Sequence, residues 1–266
     1  VNSQRGMLSF AEYLSGLSIE EIKALRRILH AHRGLIREEI KSFTRQKELN
    51  RVALLVKFEG AIKAYHEVLV IRVDLYYSRD RLKEITIHDF YQHIGKLRDL
   101  ITDKNGYFDA LLTYAIALEH GITKGFHVHL AFVINESKYR NDYNIAKWVI
   151  EKWQEITLGK GYGWNNNTTE NKKNYYDQGT LGIGVIRRTE PDQGNNALKT
   201  IAYLSDPEKY RQTLLVKPQG RRTFYKGDYQ HHGRPIPDTE ENRRIKEWGA
   251  QTALAKLEEE VWFKKL

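Results

Sequence analysis

The stretch G-F-H-V-H-L-A-F-V-I-N, Gly125 to Asn135, decides how the chain is read. Its branched and aromatic residues suit a buried strand, yet it carries two imidazoles one residue apart. Residues i and i+2 of a strand point to one face, so His127 and His129 project together. Phe126, Val128, Leu130, Phe132 and Ile134 then line the opposite face. The preceding A-L-L-T-Y-A-I-A-L-E-H-G, Ala110 to Gly121, reads as a strand ending in Glu119. A short turn through Lys124 and Gly125 makes the two a hairpin.

Upstream, V-L-V-I-R-V-D-L-Y-Y-S, Val68 to Ser78, is a third strand, with Leu69, Ile71, Val73 and Leu75 on one face and Arg72 and Asp74 on the other. A helix is expected from about His88 to Asp103. A second, Asn144 to Ile156, buries the stripe of Ile145, Trp148, Val149 and Trp153. A long polar loop rich in Gly and Asn, carrying Trp164, Tyr175 and Tyr176, leads to a strand over Thr180 to Arg188. A short helix from Asn195 to Ser205 stops near Pro207.

This order predicts an α+β fold: an antiparallel sheet with a split βαβ core of the RRM/ferredoxin-like kind, helices on one face and the other face open. The open face collects Arg72, Asp74, Glu119, His127 and His129. Gly182 and Gly184 leave room beside them if the last strand takes the matching register. Helical additions flank this core. Ser18 and Glu21 form a capping box ahead of Ile19, Ile22, Leu25 and Leu29, and Ala250, Leu254, Leu257, Val261 and Trp262 lie near one stripe of a helix beginning at about Thr239. The expected divisions are residues 1–64, a helical region, residues 65–230, the core, and residues 231–266, a C-terminal loop and helix.

Composition narrows the chemistry. The 266 residues are enough for a sizeable core. They carry 43 Lys and Arg against 34 Asp and Glu, a net charge of +9, with 11% aromatic residues. Basic side chains displace counterions from phosphates and flat rings stack on unpaired bases, so a polyanion such as single-stranded DNA is the expected partner. There is no cysteine, so disulfides, thiolate metal sites and cysteine nucleophiles are excluded. No apolar run approaches the roughly 20 residues that cross a bilayer. The segment V-N-S-Q-R-G-M-L-S-F lacks the layout of a secretion signal, and the expectation is a cytoplasmic protein without membrane contact.

Any metal must therefore be held by His, Asp or Glu. His127, His129 and Glu119 offer two nitrogens and a carboxylate, a set that suits Mg²⁺ or Mn²⁺ with open positions for a phosphate, or Zn²⁺. The spacing H-x-H alone is equally that of core histidines with satisfied hydrogen bonds, and Glu119 near Lys124 is equally a surface charge pair.

The succession V-L-V-I-R-V-D-L-Y-Y-S, then E-H-G ahead of G-F-H-V-H-L-A-F, then N-A-L-K-T-I-A-Y-L-S resembles the layout of HUH endonucleases: rolling-circle replication initiators, relaxases and related transposases. More narrowly, L-V-I-R-V-D-L-Y-Y, H-V-H-L-A-F-V-I-N, I-A-Y-L-S-D-P-E-K-Y and G-R-R-T-F resemble the inovirus-type replication initiators, the YagK/YfjJ family of phages and prophages, from Val68 to about Gly227. The resemblance implies a nickase that starts rolling-circle replication at a single-stranded or hairpin origin in a bacterial host and leaves a 5′-phosphotyrosine. A host helicase is a candidate further partner. His127 and His129 would then be the metal pair, Glu119 the third ligand and Tyr203 the nucleophile. Related initiators place lysine three residues after the tyrosine, where Asp206 stands here. Lys199, one helical turn before Tyr203, takes over the cationic role in this reading.

Tyr175, Tyr176 and Tyr210 compete for the role of nucleophile. Arg72, Arg187, Arg188, Arg221 and Arg222 are candidate phosphate contacts, and Trp164 a candidate base-stacking ring. His231 and His232 point apart in an extended chain and read as loop. Other readings stand beside the nickase: a non-cleaving DNA-binding regulator, motivated by Asp206; a hydrolase using the histidines and a water; and, on the same fold, a transposase or relaxase.

Overall fold

A computed structural model of the chain describes residues 16–121, 123–205, 214 and 217–227. Two helices come first: α1, Ile19–Ala31, and α2, Arg33–Ala64. The capping box is present, with Glu21 N donating to Ser18 Oγ at 3.2 Å and Ser18 N donating to the Glu21 carboxylate at 2.8 Å. Strand β1, Glu67–Tyr77, leads through helix α3, Ile87–Thr102, into the hairpin of β2, Leu111–Gly121, and β3, Gly125–Asn135. Then come α4, Asp142–Ile156; β4, Gly161–Asn165; α5, Thr169–Asp177; β5, Gly184–Arg187; α6, Pro191–Ala202; and β6, Phe224–Lys226.

The fold is mixed α+β around one sheet whose six described strands pair antiparallel in the order β4-β1-β3-β2-β6, with β5 also on β1. The outer edge of β1 is shared: β4 takes Val73 to Tyr77 and β5 takes Glu67 to Val70. Asn167 fills the join. Its side-chain amide donates to Val70 O at 3.0 Å and its oxygen accepts from Arg72 N at 2.9 Å, copying the donor and acceptor of a missing strand residue. The stretch expected to be a polar loop therefore contains a strand and a helix. Of the Gly and Asn that suggested irregular chain, Asn167 bridges the sheet edge, while Gly161 and Gly163 stand where a Cβ would meet Trp153 and Ile150.

A second correction concerns the faces. One face packs on α3 and α4, where Leu69, Ile71, Val73, Leu75, Leu130 and Phe132 meet Phe90, Ile94, Leu97, Val149 and Trp153. The other is not simply open, and helices lie on both faces. Leu54, Phe58, Ala61 and Ile62 of α2, with Ala197, Leu198 and Ile201 of α6, cover Val68, Val70, Ala115, Ala131 and Val133. Arg72 and Asp74 suggested a wholly polar face, but Val68 and Val70 precede them on it. Small alanines on β2 and β3 also allow helices to approach closely.

Gly182 and Gly184 do not make room beside the histidines either, because β5 pairs with the other end of β1. A Cβ at Gly182 would stand 2.2 Å from Asn196 O, so that glycine serves the packing of α6. Among the described residues no helix is long and apolar enough to cross a membrane.

Candidate metal centre

The hairpin register places Glu119 directly opposite His127 and Ala117 opposite His129, while β1 contributes Asp74 opposite His129. Directly opposed residues share a face, so all four polar side chains come together where the cover of α2 and α6 ends. Glu119, His127 and His129 are buried. Glu119 Oε2 lies 3.3 Å from His127 Nε2 and 3.2 Å from His129 Nε2. One ligand atom from each of the three falls within 4.8 Å of the others, so the group can hold a metal ion.

The second nitrogens fix how the rings present themselves. His127 Nδ1 lies 3.0 Å from Gly125 O and His129 Nδ1 lies 2.5 Å from Asp74 Oδ1. Both partners are acceptors, so each Nδ1 carries a proton and in the neutral ring each Nε2 carries the lone pair. His127 Nε2 is at ion-pair distance from Glu119 but lacks hydrogen-bond geometry. Ligand atoms within 4.8 Å of one another, with the far ring nitrogens tied to a carbonyl and a carboxylate, are the pattern of metal-binding histidines. The donor set fits a divalent cation.

Asp74 was absent from the ligand set expected from sequence, although its place on that face was evident. Burial works to raise its pKa, but the hydrogen bond from His129, the His129 and Arg72 charges and the Asn166 amide outweigh burial and hold the carboxyl below its usual range. For His129, burial favours the neutral ring, yet hydrogen bonds to Asp74 and Glu119 prevail and raise its pKa.

Tyr203 stands at the end of α6, where a 3₁₀ turn, Tyr203–Ser205, packs on β2 and β3. Its side chain is 44% exposed, enough to reach a substrate. The Arg72 guanidinium lies 4.9 Å from its ring centroid and 3.6 Å from Asp74 Oδ1. Arg72 thus joins the phenol's surroundings to the histidine pair, and a cleft beside α2 is lined by both Glu119 and Leu204. Lys199 is exposed in the last turn of α6, one turn before Tyr203.

The remaining arginines do not gather there. Arg187 sits on β5 opposite Glu67, paired to Glu67 at 2.7 Å and to Glu190 at 3.4 Å. Glu67 lies five residue steps along β1 from Arg72, roughly 17 Å. Arg188 follows it, its backbone N–H donating to His66 O. Arg221 and Arg222 are exposed at the opposite edge, near Tyr91 of α3, whose hydroxyl donates to Arg222 O at 3.1 Å. Trp164 is on β4 opposite Asp74, so it faces the centre from a strand. Tyr175 and Tyr176 are in α5. Asp206, Tyr210, His231, His232 and the expected C-terminal helix lie outside the described residues.

The YagK/YfjJ C-terminal domain, as a family, matches residues 38–222 of the chain. That match covers all of β1 to α6, including the three candidate ligands and Tyr203. No curated protein and no solved structure matches it.

Proposed function

The chain belongs to the YagK/YfjJ C-terminal domain family, and we propose that it is a metal-dependent endonuclease of the HUH type that nicks and rejoins single-stranded DNA through Tyr203. The observation that carries this reading is the convergence of Glu119, His127 and His129 on the face that also holds Arg72, with Tyr203 over the Arg72 guanidinium. The order of β1, β3 and β2 around an inserted hairpin strand supports the expected split βαβ core.

Glu119, His127 and His129 would hold the ion, Mg²⁺ or Mn²⁺, which when bound offsets phosphate charge and polarises the phosphorus for attack. Asp74 and Gly125 O keep the rings oriented. A phenol has a pKa near 10 and is a poor nucleophile at neutral pH, so such help is required. Tyr203 Oη attacks phosphorus and gives its proton to solvent. The P–O3′ bond breaks, and the departing oxygen takes up a proton to become a 3′-hydroxyl. The product is a 5′-phosphotyrosine, whose retained phosphodiester energy allows rejoining without ATP. Lys199, exposed one turn before Tyr203, would meet phosphate charge beside the phenol. The biological setting proposed is rolling-circle replication of a phage or mobile element from an unpaired or hairpin origin, in the cytoplasm of its host.

The test is to mix protein, Mn²⁺ and single-stranded DNA spanning the element's origin, then locate the nucleotide by mass spectrometry. The expected result is an adduct on Tyr203 that Y203F lowers by roughly 10⁴-fold or more. An undiminished adduct in Y203F removes the nucleophile assignment. Strand cleavage without any adduct would replace it by hydrolysis through water.

A further inference from the structure

Strand β4 reads G-Y-G-W-N from Gly161 to Asn165. The two glycines face α4: a Cβ on Gly161 would stand 2.5 Å from Trp153 Nε1, and one on Gly163 2.5 Å from Ile150 Cγ1. Strand alternation then turns Tyr162 and Trp164 to the other side of the sheet, the side of Asp74 and His129. The register agrees, with Tyr162 opposite Tyr76 and Trp164 opposite Asp74.

The result is a run of rings leading toward the candidate metal centre. Tyr162 stacks on Tyr76 with centroids 5.3 Å apart and planes 23° from parallel, and Tyr76 stacks on His127 at 5.6 Å and 16°. Trp164 and Tyr162 are 57% and 44% exposed. Cations accompany them: Lys124 Nζ lies 5.5 Å from the Tyr76 centroid, and Arg79, Lys124, Tyr76 and Tyr162 line one groove. Apolar ring faces at the surface, bordered by exposed cations, offer stacking to bases and charge to phosphates.

We propose that Trp164 and Tyr162 form a stacking platform for the unpaired bases of single-stranded DNA next to the nicking centre, with Lys124 and Arg79 on its phosphates. The platform makes the protein select strands whose bases are unstacked, since paired bases present no free faces to these rings. This assignment rests on the nicking reading for its biological meaning, but its binding claim stands alone.

Fluorescence anisotropy of the full chain in EDTA isolates that claim from metal and cleavage. The probes are a 20-nucleotide thymidine strand and a base-free deoxyribose-phosphate strand of equal length, which match in charge and differ only in bases. Wild type is expected to prefer the thymidine strand. W164A/Y162A is expected to lower affinity for it by roughly 5- to 150-fold per stacked base while leaving the base-free strand unchanged. W164F/Y162F, which keeps flat rings, is expected to restore binding, and thermal denaturation checks that both variants fold. Equal losses on both probes, or none on either, overturn the platform. A nicking failure with this pattern intact would count against the proposed function and not against the platform.

Discussion

The face of the sheet under α2 and α6 has two halves that use the same strands for opposite purposes. In one, Val68, Val70, Ala115, Ala131 and Val133 meet Phe58 and Ile201 in a dry core. In the other, Arg72, Asp74, Glu119, His127 and His129 are drawn together, and the cleft beside Glu119 is lined by Gln46, Lys47 and Asn50 of α2. The change takes one same-face step on each strand: Val70 to Arg72, Ala131 to His129, Ala117 to Glu119. The register staggers those steps, with Arg72 opposite Ala131 and His129 opposite Ala117, and beyond them Asp74 stands opposite His129 and Glu119 opposite His127. The apolar half supplies packing, and the polar half a group able to hold a metal ion.

If that division holds, damage to one half should leave the other's property intact. The largest effect is expected from Phe58→Ala, which empties a fully buried position in the apolar half. It should cost about 3–5 kcal/mol of stability, read by urea denaturation, while the folded fraction retains its Mn²⁺ affinity. Loss of metal binding in the folded protein would show that the halves are coupled.

Asp74→Asn should do the converse. The amide cannot match the charged acceptor on His129 Nδ1, so Mn²⁺ affinity measured by calorimetry should fall by roughly 10- to 100-fold. Unaltered affinity would leave Asp74 a packing residue only.

The smallest effect is the pH dependence of the metal-free protein. The His129 pKa is raised above 6.5 in the folded state, chiefly by Asp74 and Glu119 acting against burial. A group so raised contributes stability that is complete below about 6.5 and is lost as pH rises through the folded value. In chelator, denaturation should therefore show wild type losing part of its advantage over His129→Asn as pH rises through that window. Metal binding has the opposite sign, because a protonated ring cannot be a ligand, and should strengthen over the same rise. A flat difference between the two proteins would mean that the His129 pKa does not change on folding.

Much of this arrangement is legible in the chain. Period-two alternation in Gly125 to Asn135 identifies the strand and puts both imidazoles on one side, and the short turn at Lys124 brings Glu119 opposite. Other parts are not. The G-Y-G-W-N run also alternates, glycine inward and aromatic outward, but glycine-rich text resembles loop until the approach of Trp153 and Ile150 is known. The role of Asn167 is invisible in sequence, since an amide that substitutes for a strand residue has no local signature. The distal placement of Arg187 follows from where β5 pairs, which no local pattern specifies.

The sequence by itself determined the three long strands, which of their residues share a face, the absence of thiol chemistry and the residue types able to ligate a cation, because those depend on backbone periodicity and side-chain composition. Only the tertiary structure decided that α2 and α6 cover half of the polar-looking face, that Asp74 holds His129, and that Tyr203 stands over Arg72. Those are contacts between residues far apart in the chain, set by strand register and helix packing, and no local spacing encodes them.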